Sequence, residues 1–294
     1  MRKSLCRYYR IADVVVRVES DLPITDRTFL PRFKLFEVDG PGIDTITIRH
    51  HFADPPLAPH EYGKEIYRQP PWAIFGNENS WIYSTIPEDG RPLKGAQVAI
   101  LSLDYSRGEI YTPNKSLFER GDIQSITLMP TDQILLAQIF ALRESCYFHS
   151  SGVIFNKKGF LFAGHSEAGK STIVKMLKGK AEILCDDRIV IRKWEDGFRI
   201  HGTWSHGEVP DVSPNSARLR AIFFLVKSDE NRCLPLEDKR EALKNLLDYL
   251  IKPFGHPLWW KKTLSLISEI AAGVPCYYLH FEKSGKIVEL LEAF

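Results

Sequence analysis

Gly164-His165-Ser166-Glu167-Ala168-Gly169-Lys170-Ser171 is a complete G-x-x-x-x-G-K-[ST] run, and it stands between an apolar strand-like segment, Phe160–Ala163, and a helix-like one, Lys170–Lys178. No other stretch constrains the fold as much. A strand that turns through a glycine-bearing loop into a helix aims backbone N–H groups and the positive end of the helix dipole at one point, where an anion is stabilised. Lys170 adds a charge suited to the outer phosphates of a nucleotide, and Ser171 a hydroxyl suited to Mg²⁺. The expected phosphate-binding segment is Gly164–Ser171 with Thr172 of the following turn. Glu167 is its awkward member, a carboxylate in a loop built for phosphates: either it points outward or it weakens the affinity for them. Without chemistry, the same run would be a surface turn before a helix.

Asp186-Asp187 follows Lys170 by sixteen and seventeen residues and closes an apolar strand, Ile183-Leu184-Cys185. In a parallel sheet the carboxyl ends of strands line the ligand crevice. One carboxylate there suits Mg²⁺, the expected role of Asp186 together with Ser171. An adjacent carboxylate suits a proton acceptor for an attacking hydroxyl, and the two acids can share these roles. Two solvated acids on a polar turn are the alternative. His149, at the start of the strand pair that precedes the loop, is the third candidate; a single histidine is more often structural.

The rest of the chain bounds this picture. Its 294 residues, 44% hydrophobic and 26% charged, describe a globular chain with material for two domains or one large one. The formal charge of +2 gives no sign of a dedicated nucleic-acid or membrane-surface protein. Five scattered cysteines without a C-x-x-C pair fit reduced thiols better than disulfides or zinc. Arg7 and Arg10 interrupt any signal-peptide core, and the longest apolar strand-like run, Ala221 to Val226, is too short to span a bilayer. A cytoplasmic location is expected, with no nucleic acid and no membrane partner; assembly into a homo-oligomer is left open.

Two domains are expected: a β-rich N-terminal one over residues 1–126 and an α/β one over 127–294. In the first, strands are predicted at Ile11–Glu19, Phe33–Val38, Ile46–Phe52, Trp81–Ile86 and Val98–Tyr105, with turns at Asp39–Gly42, Asp54–Pro56 and Glu88-Asp89-Gly90, and ordered loops between Pro55 and Trp81. In the second, Thr131–Ser145 reads as a helix capped by Thr131. Phe148–Phe155 and Phe160–Ala163 read as a hairpin over Asn156–Gly159, and Arg188–Trp194 with Phe198–His201 as another. Amphipathic helices are predicted at Leu236–Ile251 and Leu258–Ile270. Gly202–Gly207, with Trp204 as a stacking face and His206 as a polar group, is the expected border of an acceptor site.

The stretch Tyr147–Arg192 resembles the catalytic domain of HPr kinase/phosphorylase and its kinase-like relatives, in which a histidine before a β-hairpin, a GxSGxGKS-type loop and a strand ending in Asp-Asp come in the same order as His149, Gly164–Ser171 and Asp186-Asp187 do here. The resemblance is specific over about 50 residues and loose toward the C-terminus. It implies an α/β core of the HPr kinase and phosphoenolpyruvate carboxykinase type. It implies ATP and Mg²⁺ held by Lys170 and Ser171, an Asp pair that activates the acceptor hydroxyl and helps bind metal, and His149 near the transferred phosphoryl group. The bifunctional enzymes of that family usually carry Gly at the position of Glu167 and Glu at that of Thr172. The implied activity is an ATP-dependent serine kinase whose acceptor is a serine-containing protein or peptide. The alternatives are a small hydroxylated acceptor such as free serine, or a nucleotide-binding switch without transfer.

Overall fold

The structure is a computed structural model and describes residues 4–88, 95–254, 257–283 and 286–294; Asp89-Gly90 of the predicted turn lies outside them. The fold is mixed α/β with two sheets, most of it strand. The chain divides into two compact units, Met1–Ile139 with Pro253–His256, and Phe140–Lys252 with Pro257–Phe294. The change of sequence pattern at residues 126–130 precedes that division. Asp132 explains why 127–139 go with the first unit: its buried carboxylate accepts from Ser125 Oγ (2.5 Å), Ile126 N (2.9 Å) and Thr127 N (3.0 Å). Both sides of residue 126 are thus pinned to one side chain.

Among the described residues the first unit holds a nine-stranded sheet. Its strands are β1 (Ser4–Ile11), β2 (Val14–Ile24), β3 (Glu37–Val38), β4 (Thr45–His51), β5 (Lys64–Gln69), β6 (Trp72–Gly76), β7 (Ser80–Thr85), β8 (Val98–Ser102) and β9 (Arg107–Tyr111). The order is β3-β1-β2-β4-β9-β8-β7-β6-β5. Helices α1 (Ser116–Arg120) and α2 (Gln133–Ala141) come next, and Thr131 Oγ1 accepts from Gln133 N (3.1 Å) as a cap does. Three readings change. The predicted strand Ile11–Glu19 is two strands, because Ala12 and Asp13 turn the chain at φ 48° and 60°. Phe33–Val38 is mostly a 3-10 turn, Pro31–Phe36, that buries Phe33 and Phe36 and leaves two residues for β3. The loops expected between Pro55 and Trp81 contain β5 and β6. The edge strand β5 is exposed on both faces and therefore lacks the alternation that marks a strand.

The second unit is built on β10 (Ser145–Phe155), β11 (Lys158–Ala163), α3 (Lys170–Leu177), β12 (Glu182–Cys185), β13 (Arg188–Trp194), β14 (Gly197–His201), β15 (Ser216–Lys227), β16 (Arg232–Pro235), α4 (Lys239–Tyr249), α5 (Pro257–Gly273), β17 (Cys276–Phe281) and α6 (Ile287–Glu292). Asn156 and Lys157, at φ 49° and 62°, make the β10–β11 turn with both residues left-handed, the geometry that matches strand twist. Pairings run β10–β11–β15–β14–β13 and back to β10, closing a ring of five strands. Ile189, Ile191 and Ile200, all fully buried, belong to one apolar cluster of this unit. Glycine is required where the ring is tightest: a Cβ on Gly159 would overlap Ile200 Cγ2, and one on Gly152 would lie 2.7 Å from Ile189 Cδ1. The three parallel strands β11, β15 and β17 extend the ring into a sheet. Ile173, Val174 and Leu177 of α3 pack with Ile287 and Leu291 of α6 in one cluster, and α4 and α5 contribute to the other. Asp238 caps α4 by accepting from Arg240 N (2.8 Å). No helix among the described residues is long and apolar enough to cross a membrane.

Candidate functional site

β10 lies between β11 and β12 and is antiparallel to both. β11 and β12 therefore point the same way, and their carboxyl ends deliver two segments to the same edge: the glycine loop after Ala163, and Asp186-Asp187 after Cys185. The Asp pair thus comes to the edge that carries the phosphate loop, with β10 between the two strands. His149 reaches the same place from β10, because Ser150 N donates to Asp187 O (3.0 Å) and so holds the two chain segments in register.

The loop conforms to its sequence. Gly169 is the N-cap of α3 at φ 106°, and a Cβ there would run into the Phe281 ring. Glu167 is also left-handed, φ 65°, and its side chain is exposed. Lys170 is 8% exposed and donates from Nζ to Gly164 O (2.7 Å) and His165 O (3.1 Å). Burial lowers its pKa, while Asp187 and Asp186 pull it back up. An anion in the loop would replace the carbonyls as its partner and favour the charged form.

The two aspartates have different surroundings. Asp186 is 2% exposed; its Oδ1 accepts from Gly207 N (2.6 Å), and its Oδ2 accepts from Val209 N (2.9 Å) and Ser171 Oγ (2.9 Å). Asp187 is 15% exposed and lies between two side chains, with His149 Nδ1 at 3.1 Å from Oδ1 and the Arg188 guanidinium at 2.6 Å from Oδ2. Burial alone would raise its pKa; the hydrogen bond from His149 and the charges of Arg188, His149 and Lys170 outweigh that and hold the carboxyl below its ordinary value. The Cys185 thiol beneath them accepts from Asp187 N (3.3 Å) and Arg188 N (3.2 Å) and donates to Ser205 O. Burial pushes it up to about 12, so it stays neutral and braces the turn.

His149, Ser166, Glu167, Gly169, Lys170, Ser171, Thr172, Asp186 and Asp187 line one cavity of about 220 Å³, joined by Gly207 and Glu208. Gly164, His165 and Ala168 complete the loop without lining it; Gly164 is packed against Ala168, and the His165 ring lies 5.1 Å from that of Tyr249. Of the segment 202–207, expected as the border of an acceptor site, Gly207 is the residue that lines this cavity. Trp204 is 1% exposed and offers no stacking face; Gly207 contributes its N–H to Asp186. Arg188 also belongs to the site, although by sequence a surface or fold-supporting role outweighs a phosphate contact for it. Its only signal was a cation directly after an acidic pair. The Gly207 and Val209 amides carry no sequence signal, because any residue other than proline has an N–H.

The donor set fits Mg²⁺. Ser171 and Asp186 offer hard oxygens at the edge of an open cavity. Among the described residues no group of three or more His, Cys, Asp or Glu side chains could hold a metal alone. Few protein ligands, with phosphate oxygens supplying the rest, is how Mg²⁺ is bound at nucleotide sites.

Fold and cavity together describe a mixed α/β protein with a glycine loop, a lysine and an acidic pair gathered at one sheet edge. The chain belongs to the family described as SynChlorMet cassette protein ScmC, whose model matches residues 122–294. No curated protein matches it. Among solved structures it is similar to the Hpr(Ser) kinase/phosphatase from Coxiella burnetii, with 13% identity and a TM-score of 0.32 over 50% of this chain and 86% of that one.

Proposed function

We propose that the chain is an ATP-dependent kinase that transfers the γ-phosphoryl group of Mg²⁺-ATP to a serine hydroxyl of a small protein or peptide. The observation that carries this reading is the sharing of one small cavity by Lys170, Ser171 and an Asp187 carboxylate held between His149 and Arg188. Binding alone calls for the first two; a carboxylate kept ionised and aimed into the same space is what transfer adds. Asp186 is the metal-side acid, since the Gly207 and Val209 amides already fix it against Ser171. Asp187 is the base: its oxygens are oriented by side chains and it is the more exposed of the two. Bound Mg²⁺ would neutralise charge on the phosphates. Lys170 would grip the outer phosphates, the loop amides the rest, and Asp187 Oδ would take the hydroxyl proton as the oxygen attacks the γ-phosphorus and the bond from that phosphorus to the β–γ bridging oxygen breaks, ADP leaving with that oxygen.

The test is acceptor-dependent transfer from γ-³²P-ATP to candidate peptides, free serine and small hydroxy compounds. Lys170→Ala is expected to abolish measurable Mg-ATP binding. Asp187→Asn is expected to keep binding and lose about 10²-fold or more in transfer, the usual size of a general-base contribution. ATP turnover that ignores every hydroxyl, with equal behaviour of Asp187→Asn, would instead identify a nucleotide-dependent switch.

A further inference from the structure

A second cavity of about 440 Å³ adjoins the glycine loop and shares Glu167, Gly169 and Thr172 with the first. Its remaining walls are Ala168 and the carboxyl ends of two parallel strands, Lys227, Ser228 and Asp229 at the end of β15, and Phe281, Glu282 and Lys283 at the end of β17. We infer that this cavity is the nucleoside site, taking the base and ribose of the nucleotide whose phosphates lie on the loop. The inference rests on the kinase reading of the loop.

Three observations lead there. The first is size. A cavity of about 220 Å³ is below the roughly 300 Å³ at which small-molecule pockets begin, so it has room for phosphates and a reacting hydroxyl but not for a nucleoside as well. A triphosphate that leads its γ end to Asp187 must therefore leave by the loop's other side, and the larger cavity is there. The second is charge. Two ammonium groups, Lys227 and Lys283, face three carboxylates, Glu167, Asp229 and Glu282. Such a lining repels further phosphates and suits a neutral group rich in hydrogen-bond donors and acceptors. An acidic side chain is also what sugar hydroxyls need.

The third is preorganisation. Ser228 N donates to Phe281 O (3.3 Å), Glu282 N to Asn231 Oδ1 (3.2 Å) and Asn231 Nδ2 to Glu282 Oε1 (3.2 Å), so the two walls are bonded to each other. Phe281, 5% exposed, supports Gly169 from below and ties the wall to the loop. Among the described residues the side chains of Lys227, Asp229 and Lys283 make no hydrogen bond or ion pair, which leaves their polar ends for a ligand.

Calorimetry on the full chain with two probes, Mg-ATP and Mg-tripolyphosphate, separates the parts. Asp229→Trp fills the cavity at an exposed side chain that makes no bond. It is expected to weaken Mg-ATP at least tenfold and to leave Mg-tripolyphosphate within twofold. Equal losses for both probes, or none for either, overturn the nucleoside site while the loop assignment stands. A wild-type chain that binds neither probe overturns the loop assignment and the nucleoside site with it. Photolabelling with 8-azido-ATP is expected to mark peptides containing 227–229 or 281–283. Label found only elsewhere overturns the assignment even if Asp229→Trp is poorly folded.

Discussion

Asp187 shows how far three neighbours can set one residue's chemistry. Its depressed pKa means that the ionised form persists well into acid, below the ordinary carboxylate value. The proton-accepting form, and the stability gained from pairing, are present at neutral pH and above the unfolded pKa. Both are lost as pH falls through the folded value. Arg188→Met removes one of the charges that depress it. The acid limb of the kcat/KM profile should move to higher pH by about one unit, the lower end of the effect of a neighbouring opposite charge. A limb that stays in place would assign Arg188 to packing alone. Glu167 is the converse case, a left-handed residue whose carboxylate lines both cavities. Glu167→Gly suits the backbone and removes the repulsion. Mg-ATP affinity should rise about fivefold, corresponding to roughly 1 kcal/mol for one charge a few ångströms from a phosphate. Calorimetric titration of the variant beside wild type checks it.

At the scale of elements, the ring of β10, β11, β15, β14 and β13 holds the site, because β10 carries His149 and β11 delivers the loop. Its tightest contact is Gly159 against Ile200. Gly159→Ala should destabilise by about 1–3 kcal/mol through overpacking. Ile200→Ala alone should cost about 2–5 kcal/mol through the space it leaves. The double variant should be more stable than the sum of the two losses, since the new methyl enters that space. Urea denaturation of the four proteins measures the coupling, and strict additivity would show that the ring relaxes elsewhere. The hairpin of β13 and β14 and the apolar run Ala221–Val226 within β15 were visible in the sequence, yet closure was not. Closure depends on β15 pairing β14 over Ser216–Arg218 and β11 over residues 219–224, and nothing local marks that change of partner.

For the whole molecule the consequence is that ligand effects belong to one unit. Every candidate residue of the first cavity lies within Phe140–Lys252. Hydrogen exchange with saturating Mg-ATP should therefore slow at 164–172 and 205–209 and leave β1–β9 unchanged. At a ligand concentration of 100 Kd the protection can reach about 2.7 kcal/mol. Equal protection across β1–β9 would show that the two units respond as one.

The sequence by itself determined what neighbours along the chain can enforce. Gly164–Ser171 must turn between strand and helix, Asn156-Lys157 must reverse the chain, and Asp186-Asp187 must close an apolar strand. Each comes from local sterics and periodicity acting over a few residues. The tertiary structure alone decided the roles of the two acids. Asp186 is held by amides 21 and 23 residues further on, and Asp187 is flanked by a histidine on another strand. It also decided that Trp204 is buried, that Phe281 lies behind Gly169, and that 127–139 join the first unit. Desolvation, hydrogen-bond saturation and charge pairing depend on which distant segments arrive, and no window of sequence contains both partners.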